Sequence, residues 1–401
     1  MHFRTARWIA YGVFVISSTL NYLDRFLLNT LAPLVMLQLH FSQTGFGFLI
    51  SAFSIAYAAS SLAAGWFLDR VGVNRGISVA ISWWSAAAVA TAFVGNFSGL
   101  AACRIGLGIG ESAGVPAVGK LNALYLRSEE RAMGTAVNQI GLSLGAPLAT
   151  LFIGLATSYS WRLPFVITGL FGFLWIPIWL AVNRAIPPQN PHEEEKDTRA
   201  NQGSRFALLS DRSLLLLVLA NVLWMGSYSL WSNWTTLYLT RVHHLTLQQS
   251  AHYVWIPPLI SNLGGFFGGW MSLRWIKHSV EPVAARRRAV WVSAVGSLIT
   301  LALPVASDAR WATVIISMSF FFALAGSVNI YAMAIDIYGA ARSGLAISAL
   351  TCAFGILQTV ISPVIGYLSD HQLYSQVSWI VTIPPILGAF VLAGVRNEGR
   401  A

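Results

Sequence analysis

Four charged residues lie inside apolar runs long enough to cross a bilayer, where charge is costly. Asp24 and Arg25 are neighbours in the segment NYLDRF (21–26), and Arg104 and Glu111 lie seven residues apart in a later run. Ionisable residues at such depth usually face a cavity or a charged partner, because hydrocarbon does not solvate them. These four residues are therefore the first candidates for chemistry in this chain.

The residue types suggest a division of labour. An arginine stays charged and can hold a carboxylate through two parallel hydrogen bonds, which suits Arg25 and Arg104 to an anionic ligand. A carboxyl group shielded from water takes up a proton more readily than one in water, which suits Asp24 and Glu111 to proton transfer. The alternative is that Asp24–Arg25 and Arg104–Glu111 are neutral pairs that only order the helices.

Spacing places Arg104 and Glu111 on one helix face, about 10 Å apart along the axis, because seven residues make two turns. Three glycines lie between them: Gly106, Gly108 and Gly110. Small residues in a membrane helix permit close approach of a neighbour. A dinucleotide-binding glycine run would need a preceding strand and a βαβ unit, and neither is predicted.

The elements that carry these residues are predicted to be membrane helices. Hydrophobic residues make up 56% of the 401 residues and charged residues 10%, against about a quarter charged in soluble domains. A bilayer span takes about 20 apolar residues. Twelve runs qualify: 8–36, 44–67, 75–94, 98–125, 131–156, 162–183, 213–239, 248–274, 287–306, 311–338, 342–368 and 374–396. The sequence predicts an all-α integral membrane protein.

The basic residues follow membrane topology. With the N-terminus inside, 19 of the 25 Lys and Arg lie in cytoplasmic segments and three (Arg162, Arg241, Arg310) in external ones. This bias places both termini in the cytoplasm of a multi-pass membrane protein, with the bacterial inner membrane as the expected location. Because the net charge of +10 is not gathered into one patch, no nucleic-acid partner is expected. Lys120, near the cytoplasmic end of span four, can reach the interface.

A polar linker divides the chain into two halves of six predicted spans. Residues 1–183 form the first half, 184–212 the cytoplasmic linker and 213–401 the second half. The run HEEE (192–195) in the linker lacks the second histidine of a zinc-helix motif, so a solvated loop is expected. Cys103 and Cys352 lie in predicted spans and indicate neither a disulfide framework nor a metal site.

The halves carry a weak internal repeat at the cytoplasmic ends of spans two and eight. GWFLDRVGVNRG (65–76) and GGWMSLRWIKHSVEPVAARRR (268–288) both place Gly-Trp before a basic loop, as in transporters built from duplicated bundles. The second copy lacks the acid, because Leu273 stands at the position of Asp69.

The first copy resembles the signature loop of the major facilitator superfamily. Its pattern is Gly65-x-x-x-Asp69-Arg70-x-Gly72-x-x-Arg75. Asp69 in such a loop can act as a cytoplasmic latch, near the N-terminus of a neighbouring helix or paired with an arginine. The alternative is that these residues only retain topology.

Further segments resemble the anion:cation symporter family, which includes bacterial hexuronate and aldonate transporters and eukaryotic sialic acid, glutamate and phosphate carriers. The segments are NYLDR, CRIGLGIGESAGVPA (103–117), SWRLPFVITGLFGFLWIPIWL (160–180), YAMAID (331–336) and SPVIGYLSD (362–370). The resemblance implies the major facilitator fold of two six-helix bundles. It also implies a transporter, not an enzyme: a monomer in the lipid bilayer that carries a small organic anion, such as a sugar acid, together with protons by alternating access. No cofactor is expected beyond the coupling proton.

The same resemblance implies roles for individual residues. Arg25 would contact the substrate carboxylate with Tyr22 beside it. Asp24 and Glu111 match the acids that couple protons, and Arg104 matches the arginine that partners the acid of span four.

Other substrate contacts are implied on both halves. In span five, NQIGLSLG (138–145) resembles the segment whose amide binds substrate hydroxyls, so Asn138 and Gln139 are candidates. Helix–helix hydrogen bonding is the alternative for both amides. In span seven, SYSLWSNWTTLYL (227–239) resembles an aromatic-rich segment, although Thr236 stands where proline is common. Its candidates for lining the cavity are Tyr228, Trp231 and Asn233, with packing as the alternative.

Span eleven departs from the family pattern. Relatives often place a substrate-binding asparagine where this chain has Thr351 and Cys352. Threonine reproduces only part of an amide's donor and acceptor capacity. The departure makes span eleven a position where this chain's substrate can differ from that of relatives.

Two alternative functions follow from the same residues. A lipid or lysolipid exporter of the spinster type can share the Asn-Tyr-x-Asp-Arg segment and the Arg-to-Glu spacing of seven. Pro116, five residues after Glu111, favours the anion family. A membrane receptor or enzyme is disfavoured by twelve predicted spans, the two-half layout and the lack of a catalytic cluster in the sequence.

Overall fold

The computed structural model describes residues 3–126, 130–186, 208 and 210–395. No β-strand is assigned among these residues. The helices of the first half are α1 (Phe3–Leu39), α2 (Gln43–Val71), α3 (Val73–Thr91), α4 (Phe97–Glu111), α5 (Gly114–Tyr125), α6 (Arg131–Ser158) and α7 (Arg162–Ala185). Those of the second half are α8 (Arg212–Trp224), α9 (Gly226–Val242), α10 (Leu247–Ser250), α11 (Ile256–Lys277), α12 (Pro282–Ser297), α13 (Ala309–Asp370) and α14 (Tyr374–Val391). Two 3₁₀ segments follow α12 and α14, at Leu298–Val305 and Leu392–Gly394.

The predicted all-α membrane fold is confirmed. Among the described residues, eight helical segments are long and apolar enough to cross a membrane. They are Gln43–Ser61, Met133–Ser158, Arg162–Ala185, Arg212–Val242, Pro282–Val305, Ala309–Gly339, Gly344–Asp370 and Tyr374–Gly394. The other four predicted spans fall on α1, α3, the pair α4–α5, and α11.

Some predicted spans are not single helices. Span four is divided between α4 and α5, because Pro116 has no N–H and its ring crowds the carbonyl four residues earlier, at Ser112. Span eight begins at Ile256 and not at 248, with prolines in the first turn of α11, where proline is tolerated. Spans ten and eleven run together as α13, with a break at Gly339, whose φ of 64° is readily adopted by glycine.

The described residues group into two compact units. Unit 1 comprises those of 1–41 and 52–200, and unit 2 those of 42–51 and 201–401. Helix α2 is thus divided, with its first turns in unit 2 and the rest in unit 1. Most of the predicted linker 184–212 lies outside the described residues.

Tryptophans and small residues organise both cores. In unit 1, Trp175 stacks on Trp179 at 5.3 Å and donates its indole N–H to the carbonyl of Val13, 2.7 Å away. In unit 2, Trp224 donates to the carbonyl of Ala323 at 2.7 Å and fills the space beside Gly326. Indoles that are buried and still bonded fix helix positions at little desolvation cost.

Within unit 2, the start of α2 is capped by the end of α13. The carboxylate of Asp370 accepts hydrogen bonds from the backbone N–H of Gln43 at 2.9 Å and of Thr44 at 2.8 Å. It also accepts one from the Thr44 hydroxyl at 2.7 Å. The first N–H groups of a helix have no partner inside it, and their partial positive charge favours an anion. Asp370 supplies both the acceptor and the charge.

Below this cap the two helices touch backbone to backbone. A Cβ added to Gly47 would lie 2.7 Å from the Cα of Pro363, and one added to Gly366 would lie 2.7 Å from the Cα of Thr44. The hydroxyl of Ser51 donates to the carbonyl of Thr359 at 2.6 Å. We call this antiparallel contact, residues 43–51 against 359–370, the α2–α13 seam.

Candidate functional site

Arg25 and Glu111 form a buried ion pair in unit 1. The guanidinium Nη2 and Nε of Arg25 lie 2.7 and 3.1 Å from the same carboxylate oxygen, Oε2 of Glu111. The Glu111 side chain is fully buried, whereas 26% of the Arg25 side chain is exposed. Helix α1 thus delivers Arg25 to the carboxylate, whereas Arg104 interacts with Glu111 through charge and is not its hydrogen-bonded partner among the described residues.

Glycines bring α4 close enough to α2 and α3 for this pairing. A Cβ on Gly108 would lie 2.6 Å from the carbonyl oxygen of Phe53, and one on Gly110 would lie 2.8 Å from the Trp83 ring. The predicted role of these glycines in helix approach is confirmed. Gly106 has ordinary contact with Ala87 at 3.5 Å. Glu111 is the last residue of α4, at the point where span four breaks.

Three aromatic rings surround the Arg25 guanidinium. Its central carbon lies 4.8 Å from the ring centroid of Tyr22, 4.9 Å from that of Phe53 and 5.1 Å from that of Tyr57. Rings at this range attract the cation and hold its plane. Phe53 and Tyr57 were not among the predicted residues. Their only sequence signal is an aromatic pair four residues apart on α2, which is also typical of packing.

Asp24 and Arg104 also lie in unit 1 and, like Glu111, are almost fully buried. The hydroxyl of Thr168 on α7 is close to the Asp24 carboxyl, and the Arg104 guanidinium lies 6.0 Å from the Phe165 ring. Among the residues that the structure describes, Asp24 Oδ1, Arg104 Nε and Glu111 Oε1 have no hydrogen-bond partner. Two acids and two bases balance in charge when all are ionised, so one added proton or one added anion unbalances the cluster.

The two predicted amides of span five take different positions on α6. Asn138 is buried and accepts a hydrogen bond from the hydroxyl of Ser18 on α1 at 2.7 Å. This is the helix–helix bond that the sequence left open as the alternative. Gln139 is exposed.

The predicted residues of the second half lie mainly in packed surroundings of unit 2. Trp231 is buried and donates its indole N–H to the Ser319 hydroxyl at 2.7 Å. The ring of Tyr228 packs edge-on against Phe320 and Phe354. Asn233 donates to the carbonyl of Ser229 at 2.7 Å within its own helix. These contacts favour packing for the aromatic residues.

Thr351 is half-buried on α13. Its hydroxyl donates to the carbonyl of Ile347, one turn earlier, at 3.0 Å. A hydroxyl used in this way keeps an acceptor lone pair for another group.

The signature loop forms an ion pair, but with a different partner from those expected. Among the described residues, the ion pair found for Asp69 is with Lys120 of α5. The loop begins α3 at Gly72, whose φ of 84° favours glycine. Arg75 is exposed, and nothing lies within 4 Å of a Cβ built on Gly65.

The internal repeat is visible in matching cation–π contacts. Arg70 lies 5.4 Å from the Trp66 ring, and Arg274 lies 5.7 Å from the Trp270 ring at the equivalent position. Both pairs are separated by one helical turn. The two copies therefore keep the same local geometry although only the first keeps the acid.

Comparisons with known proteins agree with this architecture. The hexuronate transporter of Escherichia coli strain K12 is 25% identical over 98% of this chain and 95% of its own length. The galacturonate transporter of Dickeya chrysanthemi is 26% identical over 72% of this chain and 88% of its own length. The inward-facing, unoccupied crystal structure of a bacterial homolog to the human lysosomal transporter Spinster shares the fold, with a TM-score of 0.75 at 17% identity, covering 97% of this chain and 95% of that one.

The resemblance to anion transporters is confirmed by these relatives. The protein is a multi-pass membrane transporter and not an enzyme. The family profile of the Major Facilitator Superfamily matches residues 14–327, well over half of the sequence. The chain belongs to the Major Facilitator Superfamily.

Proposed function

We propose that this protein is a proton-coupled symporter of a sugar acid, such as a hexuronate or an aldonate, and that it works by alternating access. The observation that carries the proposal is the Arg25–Glu111 ion pair. In it, a carboxylate of the protein is bound to the guanidinium that the substrate carboxylate would need. The names of the relatives, a hexuronate and a galacturonate transporter, supply the substrate class.

In this mechanism Glu111 and the substrate compete for Arg25. An ionised Glu111 neutralises the guanidinium, so a second carboxylate gains little there. A proton on Glu111 removes the negative charge and weakens the two hydrogen bonds to Arg25. The guanidinium then binds the substrate carboxylate through its exposed edge. Because proton uptake frees the site that the anion needs, the two are taken up together.

Asp24 and Arg104 form the second part of the proposed cluster. Asp24 is the other proton carrier, buried beside Thr168. Arg104 keeps a positive charge near both acids and limits the cost of burying them. With both acids protonated and one anion bound, the four side chains and the substrate carry one net positive charge, against two without the anion. We expect the lower charge to favour occlusion.

The remaining proposed contacts bind the uncharged part of the substrate. Tyr22 and Tyr57 flank Arg25 and offer hydroxyls and ring faces to a sugar acid. Gln139, Tyr228 and Thr351 stay candidates, whereas the Asn138 amide oxygen already accepts from Ser18 and the Trp231 indole already donates to Ser319. In this proposal the protein is a monomer of the bacterial inner membrane, with both termini in the cytoplasm.

The test is uptake into proteoliposomes that hold the purified protein. Labelled hexuronates, aldonates and dicarboxylates are offered with and without an inward proton gradient. We expect one sugar acid to accumulate above equilibrium only with the gradient, and a protonophore to abolish the accumulation. If no anion accumulates under the gradient, symport is refuted. Movement of a labelled lysolipid and of no anion would establish the spinster-type alternative.

A matched pair of variants tests the roles of the acids. Glu111→Gln is expected to keep substrate binding and counterflow exchange and to lose accumulation driven by protons. Asp308→Asn is the control, because Asp308 caps α13 and asparagine caps a helix equally well. Proton-driven uptake that is unchanged in Glu111→Gln would remove Glu111 from the coupling mechanism.

A further inference from the structure

The second copy of the repeat leaves positive charge at the end of α11 that the transport mechanism does not use. Arg274 and Lys277 are exposed in the last turn of α11, and Arg288 is exposed near the start of α12. Within the described part of the chain, no ion pair is found for these three residues. The neighbouring Arg286 is instead bonded to Asp336 at 3.0 Å.

A stripe of large apolar side chains leads to this charge along one face of α11. Phe266, Trp270 and Leu273 are 67%, 54% and 48% exposed. Their spacing of four and three residues continues to Arg274 and Lys277, so all five share a face. Exposed apolar surface of this kind on a membrane helix is surface that lipid covers. The basic residues follow the stripe at the end of predicted span eight, where acyl chains are expected to give way to headgroups.

The first copy of the repeat shows what the second has lost. There the exposed pair Trp66 and Arg70 is accompanied by Asp69, which is itself paired with Lys120. In the second copy Leu273 replaces that acid. The nearby Glu281 carboxylate accepts a hydrogen bond from the N–H of Ala284 at 2.8 Å and so caps α12. Among the residues that the structure describes, no acid therefore neutralises the charge at the end of α11.

We propose that Trp270, Arg274 and Lys277 bind the phosphate headgroup of an anionic phospholipid of the cytoplasmic leaflet. The guanidinium of Arg274 can hold a phosphate through two hydrogen bonds, while Trp270 lies under it at 5.7 Å and fixes its plane. Lys277, one turn further, adds a second charge. Tryptophan is the aromatic residue that most often marks this interface, and the acyl chains lie along Phe266 and Leu273.

Arg288 adds long-range attraction to the same leaflet. Each basic residue near an anionic surface contributes about fivefold in affinity, converted from about 1 kcal/mol. The assignment to the cytoplasmic leaflet rests on the proposed orientation, in which both termini are cytoplasmic. The binding itself requires neither that orientation nor transport.

The experiment measures lipid retention by native mass spectrometry of the purified full-length protein in detergent. Phosphatidylglycerol and phosphatidylethanolamine are offered at equal concentration. We expect phosphatidylglycerol to be retained preferentially. Arg274→Gln/Lys277→Gln should lower its retention about 25-fold, as two charges are lost. Equal retention of the two lipids by the unaltered protein would overturn the proposal.

Two further variants separate a built site from general positive charge. Leu273→Asp places the acid of the first copy into the second and should remove the preference while sparing the exposed basic residues. Arg70→Gln/Arg75→Gln removes two charges from the first copy and should leave retention within about twofold. Equal losses in the two double variants would mean attraction to overall charge and would refute the site.

A competition experiment with soluble phosphates distinguishes a lipid site from a site for free phosphate. Inorganic phosphate and glycerol 3-phosphate at millimolar concentration should not displace bound phosphatidylglycerol, because they lack the acyl chains that cover the stripe. Displacement by either ion would show a phosphate site without lipid selectivity and contradict the proposal. Size-exclusion elution and the melting temperature of each variant report that it is folded. A failure to find the lipid preference would not affect the proposed transport activity.

Discussion

Replacing Glu111 with glutamine should make anion binding insensitive to pH. In the unaltered protein, ionised Glu111 occupies Arg25, so substrate affinity should fall as the pH rises and the carboxyl loses its proton. Glutamine has nearly the same shape but cannot ionise. The Glu111→Gln protein should therefore bind the anion at high pH as well as it does at low pH.

The magnitude follows from the two hydrogen bonds to Oε2 of Glu111. A hydrogen bond to a charged group is worth about 1 kcal/mol more than one between neutral groups. Two such bonds make the carboxylate a stronger competitor than the amide by about 2 kcal/mol, which is about 30-fold in affinity. We expect the substrate Kd of the variant at pH 8.5 to be about 30-fold lower than that of the unaltered protein, and the two to converge as the pH falls.

The assay is a calorimetric binding titration at pH values from 5 to 8.5. The ligand is the sugar acid that the uptake experiment identifies. Asp308→Asn serves as the control and should keep the pH dependence of the unaltered protein. A variant Glu111→Gln whose Kd still rises with pH would refute competition for Arg25. A uniform loss of binding at every pH would show that Glu111 contacts the substrate directly.

Three further outcomes follow from the contacts described. Arg25→Ala should abolish anion binding in the same titration. Arg25→Lys should weaken binding at least tenfold, because an ammonium keeps the charge but loses the planar fork of the guanidinium. Binding equal to that of the unaltered protein would exclude Arg25 as the anion site. Gly366→Ala should lower stability by about 1–3 kcal/mol, since its Cβ meets the backbone of α2; thermal unfolding checks this against Gly269→Ala, whose added Cβ has nothing within 4 Å. Trp231→Phe should lower the melting temperature with the substrate Kd unchanged, because its indole bonds Ser319 in the core; a changed Kd with unchanged stability would instead place Trp231 at the substrate.

Sequence patterns were sufficient for the helices and for the charged cluster. Apolar runs predict membrane helices because the bilayer demands about 20 such residues. Asp24, Arg25, Arg104 and Glu111 stand out because charge in such runs is rare. The glycines of α4 were predictable for the same kind of reason, since small side chains permit close helix approach.

The pairing within the cluster could not be read from spacing. Spacing along α4 relates Arg104 to Glu111, but the rotation and depth of α1 decide that Arg25 reaches the carboxylate. The aromatic residues around Arg25 could not be predicted from spacing either, because Phe53 and Tyr57 come from another helix. The partner of Asp69 was missed because Lys120 lies 51 residues away, on the far side of the break in span four.

Helix α2 contributes residues to two separate sets of contacts along its length. It contains 29 residues without an internal proline, a length of about 43 Å. Its first turns end in the Asp370 cap, and Phe53, two residues beyond the α2–α13 seam, is part of the wall around Arg25. The glycine contacts of the seam have no side chains that could adjust gradually, so a bulkier residue at Gly47 or Gly366 must separate the two helix backbones directly.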